Sequence, residues 1–253
     1  MKKAESFMSE NFFFIVGAQR SSTTYLYNLL AEHPQICMAS PVSPEPKFFL
    51  DDEAYGQGIA HYRAKYFSHC EQAKIYGEKS TSYIESEKAA KRIRESFPDA
   101  KIIMLLRNPV ERALSNYSFS VKNGLESRTL EEVFLEHKPE PLLKKNVSVS
   151  PYDYLGRGEY IRYIELYEQY FKRENIAVLI KEELTGNREE IAKVYAFLGC
   201  DSGFVPPSLG AVINASETKE SNSEVRATLV EYFRPSVKEL EKKLDRDLGI
   251  WSF

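Results

Sequence analysis

Residues 12–30 of this 253-residue chain, Phe12-Phe-Phe-Ile-Val-Gly-Ala-Gln-Arg20-Ser-Ser-Thr-Thr-Tyr-Leu-Tyr-Asn-Leu-Leu30, give the strongest indication of its fold class. Its first five residues, Phe12 to Val16, are all apolar and predict a strand covered on both faces, as in the centre of a parallel sheet. Gly17 ends that run, and a helix with Leu26 and Leu29 on its apolar side follows a polar turn. A strand, a polar turn and a helix in this order are typical of α/β proteins that bind anions.

The polar turn carries groups that hold a phosphate or a sulfate. Hydroxyl and backbone N–H groups at the amino end of a helix bind anions, and the Arg20 guanidinium adds a positive charge. An ordinary N-capped helix would also use Ser and Thr at this place. The turn is not the common nucleoside-triphosphate loop, because that loop needs a second glycine followed by lysine, and neither residue follows Gly17 in this turn. The predicted anion ligands are Gln19, Arg20, Ser21, Ser22, Thr23 and Thr24.

Further periodic segments extend the α/β pattern along the chain. Apolar runs predict strands at residues 35–39, 74–77, 101–106 and 176–180, and amphipathic patterns predict helices at residues 86–97, from 109, at roughly 157–173 and at 223–247. No linker separates these segments. We therefore expect a single domain over residues 1–253, with a central, mostly parallel sheet flanked by helices.

Charge and hydropathy limit the classes of partner. The chain has 34 basic and 37 acidic residues, a net charge of −3, so no overall positive field indicates a nucleic-acid partner. No apolar run approaches the roughly 20 residues that span a bilayer, and the first residues do not resemble a signal peptide. We expect a cytoplasmic protein without a membrane partner.

Three cysteines, Cys37, Cys70 and Cys200, are odd in number and far apart in the sequence. That pattern predicts neither a disulfide framework nor a zinc site. We expect three buried, reduced thiols, and we expect no metal cofactor.

A second candidate anion site follows the predicted strand at residues 101–106. Arg107 lies at the end of that strand, and Ser115 lies two turns into the next predicted helix, so both could donate to one phosphate. Arg107 would alternatively cap a neighbouring helix, with Ser115 a neutral helix position. Taken with the first turn, two separated anion sites suit a nucleotide that is charged at both its 5′ and 3′ positions.

With these two motifs the chain resembles the sulfotransferases that use 3′-phosphoadenosine 5′-phosphosulfate (PAPS), which have a P-loop-like α/β fold. In that family a Gly-x-x-[Lys/Arg]-Ser-Gly-Thr-Thr turn, matched here by residues 17–24, holds the 5′-phosphosulfate. An Arg with a Ser eight positions later, here Arg107 and Ser115, holds the 3′-phosphate. The resemblance implies PAPS as co-substrate and the 3′,5′-bisphosphate PAP as product. Ser22 replaces the usual glycine, and Arg20 replaces the usual lysine.

Other motifs look like the branch that contains the heparan sulfate glucosaminyl sulfotransferases. These are His33-Pro34, Glu45-x-x-Phe48-Phe49, Glu78-Lys79-Ser80-x-x-Tyr83, Arg107-Asn-Pro-x-x-Arg112-Ala and Gly158-x-Tyr160. In that branch the Glu of the Glu-x-x-Phe-Phe loop is the general base, which implies this role for Glu45, and Lys79 matches a functional lysine. Glu78, beside a predicted strand end, is a rival base. Lys219 is a partial counterpart of a nucleotide-closing Lys-Gly-Arg loop.

The sequence therefore predicts transfer of a sulfuryl group from PAPS to a hydroxyl or amine of a small metabolite, a natural product or a carbohydrate. The predicted catalytic residues are Glu45, Lys79 and Arg20. The predicted nucleotide ligands are the turn residues together with Arg107, Ser115 and Lys219. Two other readings stay open at this point: a P-loop-type phosphotransferase, which magnesium-dependent ATP binding would support, and a non-catalytic nucleotide-binding module.

Overall fold

A computed structural model describes residues 11–70, 73–141, 150–211 and 222–253. Its strands are β1 (Phe12–Gly17), β2 (Ile36–Met38), β3 (Ile75–Lys79), β4 (Lys101–Leu106) and β5 (Ile176–Ile180). Its α-helices are α1 (Thr23–Ala31), α2 (Asp52–Gly56), α3 (Gly58–Tyr66), α4 (Glu87–Ser96), α5 (Pro109–Lys122), α6 (Leu130–Phe134), α7 (Tyr160–Glu168), α8 (Lys181–Leu184), α9 (Arg188–Leu198) and α10 (Ser223–Leu244).

The chain divides into two compact units. The sheet unit comprises the described residues of Met1–Leu106 and Leu166–Ile213 and contains all five strands. The helical unit comprises those of Arg107–Glu165 and Asn214–Phe253. The single domain expected over residues 1–253 stays a prediction.

The sheet has the order β2-β3-β1-β4-β5, and every strand pair in it is parallel. All six residues of β1 and all five of β3 are buried. The predicted central parallel sheet is therefore confirmed, and the apolar run of β1 lies at its centre.

The two faces of β1 pack against different layers, because side chains alternate along a strand. Phe12 and Phe14 face an aromatic layer in which the Phe97 ring centroid lies 4.1 Å from that of Phe12. Phe13 and Ile15 belong to an aliphatic core on the other face. That core also contains Leu26, Leu29 and Leu30 of α1 and Ile191, Val194 and Leu198 of α9. Both faces are covered, as the uninterrupted apolar pattern predicts.

Within the helical unit, α5 begins where Asn108-Pro109 predicts a helix start, and the Asn108 side chain accepts from Val110 N at 2.9 Å. The predicted helix over roughly 157–173 is shorter in the structure. A 3₁₀ turn covers Gly156–Gly158, and α7 begins only at Tyr160. A Cβ atom at residue 158 would overlap the Phe233 ring, so the close packing of that ring requires glycine there.

Two other differences concern the sheet unit. The strand predicted at 74–77 runs through Lys79, because Phe14 and Ile15 of β1 pair with Glu78 and Lys79. Helices α2, α3, α8 and α9 have no counterpart among the predicted elements. None of the helices within the described ranges is long and apolar enough to cross a membrane.

The expectation of three buried, reduced thiols is wrong for two of the cysteines. Cys37 and Cys70 form a disulfide, and both are partly exposed, whereas Cys200 is a buried free thiol. The fold brings Cys37 of β2 against the turn that follows α3, although 33 positions separate the two cysteines in sequence. Spacing along the chain carries no signal for such a pair.

Candidate active site

Residues 17–24, the anion loop, follow β1 at the centre of the sheet. The carboxyl ends of parallel strands are where open α/β sheets bind ligands. Ala18 N donates to Leu105 O and Ile84 N donates to Val16 O, each at 2.9 Å. A Cβ atom at residue 17 would overlap the Ile84 side chain, so the close packing of Ile84 against the backbone of the anion loop requires glycine.

Two non-glycine residues of the anion loop adopt left-handed backbone angles. The φ of Arg20 is +67° and that of Ser22 is +64°. Such a conformation costs an L-residue about 1–2 kcal/mol, whereas glycine adopts it freely. Ser22 thus keeps the conformation that suits the glycine usual at this position, at a cost in strain.

The anion loop presents unsatisfied polar groups. Ser22 is the N-cap of α1, but its side chain makes no capping hydrogen bond, and the first turn of α1 contains no acidic residue. Ser21 is fully buried, and its Oγ has no hydrogen-bond partner among the described residues. A buried hydroxyl without a partner costs about 1–3 kcal/mol. These features fit a site whose bonds are completed by an anionic ligand.

The other predicted ligands of the anion loop are sequence neighbours of Ser21. Gln19 Nε2 donates to Ser82 Oγ at 3.2 Å, which links the anion loop to the segment after β3. Thr23 is buried, whereas Arg20 and Thr24 are partly exposed.

Glu45 and Lys79 form an ion pair, with Lys79 Nζ 2.6 Å from Glu45 Oε1. Thr81 N donates to Glu45 Oε2 at 2.9 Å, and the Thr81 hydroxyl lies 3.1 Å from both oxygens. The Glu45 side chain is 17% exposed and that of Lys79 6%. Glu45, Lys79 and Thr81, hereafter the Glu45 cluster, thus place a partly exposed carboxylate beside a buried ammonium group.

Glu78 lies next to Lys79 in sequence but has opposite surroundings. It is fully buried, and its carboxyl oxygens accept hydrogen bonds from Tyr62 at 2.5 Å and from Ser80 Oγ at 2.6 Å. Burial raises the pKa of Glu78 to about 7, against the opposing effect of hydrogen bonds from Ser80, Tyr62 and Tyr83. Glu78, Ser80 and Tyr62 are called the Glu78 cluster below.

Ser80 of the Glu78 cluster and the nearby Tyr83 also bind the loop that carries Glu45. Lys47 N donates to Ser80 Oγ at 3.0 Å, and Phe49 N donates to Tyr83 Oη at 3.1 Å. The Tyr83 carbonyl in turn accepts from Tyr167 Oη at 2.9 Å. Two backbone amides just after Glu45 are therefore bonded to side chains of the segment that follows β3.

The helical unit carries the second predicted anion site. Arg107 precedes α5, and its guanidinium lies 3.7 Å from a Glu111 carboxylate oxygen, while Ser115 is buried within α5. Tyr160 Oη donates to the Arg107 carbonyl at 2.7 Å, so the Gly158-x-Tyr160 motif fixes the backbone at Arg107. Glu111 also pairs with Arg226 of α10.

Arg112 is a structural cation in the same unit. It is fully buried and donates to Asn116 Oδ1 at 3.1 Å and to the Tyr154 carbonyl. Burial lowers the pKa of Arg112 to about 10. Its contacts explain the arginine of the Arg107-Asn-Pro-x-x-Arg112 motif as a tie between α5 and residue 154.

Some residues of these clusters are not singled out by the sequence. Thr81, which holds both Glu45 oxygens, occupies an unspecified position of the Glu78-Lys79-Ser80-x-x-Tyr83 motif, and Tyr62 belongs to no motif. The position of Thr81 two residues after Lys79 is a weak signal that it shares the site. The predicted ligand Lys219 lies outside the described residues.

Comparison with known proteins establishes the family of this chain. The sequence model of the Sulfotransferase domain matches residues 10–232, so the chain belongs to the sulfotransferase family. The resemblance drawn from the anion loop and the Arg107 motif is thereby confirmed. The phosphotransferase alternative is not favoured.

Individual relatives place the chain near the heparan sulfate branch. It is 30% identical over 187 residues to human heparan sulfate glucosamine 3-O-sulfotransferase 5, covering 73% of this chain and 52% of that protein. It is 37% identical over 113 residues to the membrane-associated sulfotransferase kil1 of Dictyostelium discoideum, covering 44% of this chain and 23% of that protein. The chain therefore spans about half or less of these curated relatives.

A solved structure matches over nearly the whole length. The sulfotransferase from Alicyclobacillus acidocaldarius superposes with a TM-score of 0.76 at 28% identity, covering 96% of this chain and 99% of that one. The P-loop-like sulfotransferase fold expected from the sequence is thus confirmed.

Proposed function

We propose that this chain transfers a sulfuryl group from PAPS to a hydroxyl or amine of a carbohydrate or small-molecule acceptor. The observation that carries the proposal is the orphaned, fully buried Ser21 hydroxyl in the anion loop, in the same unit as the Glu45–Lys79 pair. A sulfuryl transfer needs donors for an anion and a base for the acceptor proton. The family match and the relatives support the same reaction class.

The residues of the anion loop fit the 5′-phosphosulfate end of the nucleotide. Ser21 Oγ and the uncapped amino end of α1 offer donors for the 5′-phosphosulfate, and Arg20 adds positive charge. We assign Gln19, Ser22, Thr23 and Thr24 to the same end of the nucleotide, and Arg107 and Ser115 to the 3′-phosphate by resemblance. Lys219 keeps its proposed nucleotide role from sequence alone. When bound, PAPS supplies the sulfuryl group, with PAP as leaving product.

Glu45 is proposed as the general base. Its oxygens accept hydrogen bonds from Lys79 and Thr81, and its side chain is 17% exposed, so an acceptor hydroxyl can reach it. Lys79 orients this carboxylate and keeps a positive charge beside the reacting groups. A positioned base contributes about 10² to 10⁴ in rate.

Glu78 is proposed as a positioning residue and not as the base. It is fully buried, whereas the Glu45 side chain is 17% exposed. No acceptor can reach a carboxylate in that position. Its bond to Ser80, which also accepts from Lys47 N, supports the loop that carries Glu45.

A thermal-shift comparison tests the nucleotide class. PAP, AMP and magnesium-ATP are added separately to the full chain, and a ligand at a concentration of 100 Kd adds about 2.7 kcal/mol to stability. We expect a larger stabilisation by PAP than by AMP, because only PAP carries the 3′-phosphate proposed to bind Arg107. Stabilisation by ATP alone would overturn the proposal.

Transfer itself is tested with labelled PAPS and a panel of acceptors that includes glucosamine oligosaccharides and small alcohols, phenols and amines. Label in an acceptor, together with PAP release, is the expected result. Tight PAP binding without transfer to any acceptor would instead establish a non-catalytic nucleotide-binding module.

The cytoplasmic location and the absence of nucleic-acid and membrane partners stay predictions, which cell fractionation and binding assays test.

A further inference from the structure

Cys37, His69 and Cys70 form a cluster at the edge of the sheet, hereafter the Cys-His cluster. Cys37 lies on the edge strand β2, and His69 and Cys70 lie in the turn after α3. His69 Nε2 is 3.5 Å from Cys37 Sγ and 3.8 Å from Cys70 Sγ. The imidazole is exposed and both cysteines are partly exposed, so solvent reaches all three.

In the disulfide form, the two nitrogen–sulfur distances around the imidazole are already close to those of a metal site. Zinc–sulfur bonds of about 2.3 Å and zinc–nitrogen bonds of about 2.0 Å in a tetrahedron put sulfur and nitrogen about 3.6 Å apart. The two nitrogen–sulfur distances of 3.5 and 3.8 Å bracket that value. A disulfide needs no imidazole beside it, whereas a metal bound by two thiolates gains a ligand from one.

We propose that Cys37, His69 and Cys70, in the reduced chain, bind one Zn²⁺ or a similar thiophilic divalent cation. Two thiolate sulfurs and one imidazole nitrogen provide three ligands, and a fourth position stays open to water. The site is separate from the proposed sulfotransferase chemistry and departs from the sequence expectation of no metal. It ties β2 to the turn after α3, beside the Ser40 N to Tyr66 O hydrogen bond of 2.9 Å.

The disulfide and the metal exclude one another. A dithiol reductant transfers two electrons and two protons to the Cys37–Cys70 bond, forming two thiols while the reductant becomes a disulfide. Zn²⁺ then replaces the two thiol protons, which pass to solvent, and accepts the lone pair of neutral His69 Nε2. The Cα atoms lie 6.2 Å apart, so side-chain rotations separate the sulfurs without strand movement.

Metal titration of the full chain tests the site. The protein is reduced, freed of reductant under anaerobic conditions, and titrated with Co²⁺ and then Zn²⁺. We expect one equivalent of Co²⁺ to give a thiolate charge-transfer band and tetrahedral d–d bands, which Zn²⁺ then abolishes. The oxidised protein is expected to show neither band. No cobalt spectrum in the reduced wild-type protein would overturn the proposal.

Single substitutions identify the ligands. We expect Cys37→Ser and Cys70→Ser to abolish the cobalt spectrum. His69→Gln removes a direct ligand and should weaken Zn²⁺ affinity by about 100-fold, since losing a residue that only hydrogen-bonds to a ligand already weakens metal affinity by up to about 100-fold. His61→Gln, which changes another exposed histidine in the same segment, is the matched control and should bind as wild type. Unchanged affinity in His69→Gln, or a spectrum that persists in Cys70→Ser, would overturn the assignment.

Alkylation of the wild-type chain gives a second measurement that needs no variant. Zn²⁺ should protect Cys37 and Cys70 of the reduced protein from iodoacetamide, as read by peptide mass spectrometry. Equal labelling of these two cysteines with and without Zn²⁺ would contradict the site, whether or not the variants fold.

Discussion

Two neighbouring carboxylates in the sheet unit, Glu45 and Glu78, have opposite surroundings. Glu45 pairs with Lys79 and stays partly exposed, whereas Glu78 is fully buried among hydroxyl groups. The same chemical group therefore has different surroundings at two positions that are 33 residues apart in the sequence. A base must meet its substrate, so we propose the partly exposed Glu45 as the base and the buried Glu78 as a support for the loop.

The difference in charge is as informative as the difference in exposure. Glu45 has a cation within 2.6 Å, whereas the described partners of Glu78 are neutral hydroxyl groups. Burial without a cation raises the pKa of Glu78 to about 7. A raised pKa by itself is often taken to indicate a catalytic acid or base, but the raised pKa of Glu78 follows from its burial.

The largest effect is expected for Glu45→Gln, which removes the base while keeping the size of the side chain. Sulfuryl transfer should fall by about 10² to 10⁴, the contribution of a positioned general base. PAP binding should persist, as measured by thermal shift. Glu53→Gln, an exposed substitution on α2, is the control and should keep full activity. Activity within tenfold of wild type in Glu45→Gln would remove Glu45 from the catalytic role.

The pH dependence of stability isolates Glu78. Its folded-state pKa of about 7 lies above the ordinary value of 4.5 for a glutamate, so the folded protein holds this proton more tightly than the unfolded chain does. The contribution of Glu78 to stability is therefore greatest at a pH below its pKa in the unfolded chain. That contribution is lost as the pH rises through its pKa in the folded protein. Relative to Glu78→Gln, the wild-type protein should lose about 2–3 kcal/mol between pH 5 and pH 8.

Urea unfolding at the two pH values measures that loss. If the unfolding free energies of wild type and Glu78→Gln change with pH in parallel, the pKa of Glu78 is not raised by folding. The proposed difference in surroundings between Glu78 and Glu45 would then be wrong. A catalytic role for Glu78 would appear separately, as loss of transfer in a Glu78→Gln protein that binds PAP and retains the Glu45 loop.

Ser80→Ala tests the link between the two clusters. The substitution removes the donor to Glu78 and the acceptor of Lys47 N, leaving buried polar groups without a partner. We expect a loss of about 1–3 kcal/mol in stability by urea unfolding. Transfer activity should also fall, because the loop that carries Glu45 loses an anchor. A fully stable variant with wild-type activity would show that the Glu78 cluster does not support this loop.

The smallest effect is expected for Thr81→Val, the matched change on the Glu45 side. It removes the hydroxyl that contacts both Glu45 oxygens but keeps the backbone bond from Thr81 N. One net hydrogen bond is worth about 1 kcal/mol, which corresponds to about a fivefold fall in kcat. Steady-state kinetics should show this with little change in unfolding. A stability loss as large as that of Ser80→Ala would erase the distinction between the clusters.

Local signals in the sequence predict the elements that depend on near neighbours. The apolar run from Phe12 predicts β1, and the run at 101–106 predicts β4, since each is continuous and buried on both faces. Asn108-Pro109 predicts the start of α5 because the cap and the proline act within one turn. Short helices such as α2 and α8 were not predicted, because one turn of helix carries almost no periodic pattern.

The candidate site, like the fold, is predicted from the sequence only where the signal is local. The motifs identify the anion loop and both carboxylates, but they leave Glu45 and Glu78 as rivals and do not point to Thr81. Charged Glu78 and Lys79 resemble the start of a loop in sequence, whereas the ladder to β1 extends β3 through both of them. Strand pairing overrides their low β propensity.

The α/β class, the anion loop after β1 and the sulfotransferase resemblance are all readable from the amino-acid sequence, because those signals lie within runs of a few residues. The packing of distant segments places the partly exposed Glu45 beside Lys79, 34 residues away, and buries Glu78. It likewise decided that Cys37 and Cys70 meet beside His69. Burial and charge pairing depend on groups that the fold brings together from distant positions, and no local pattern records them.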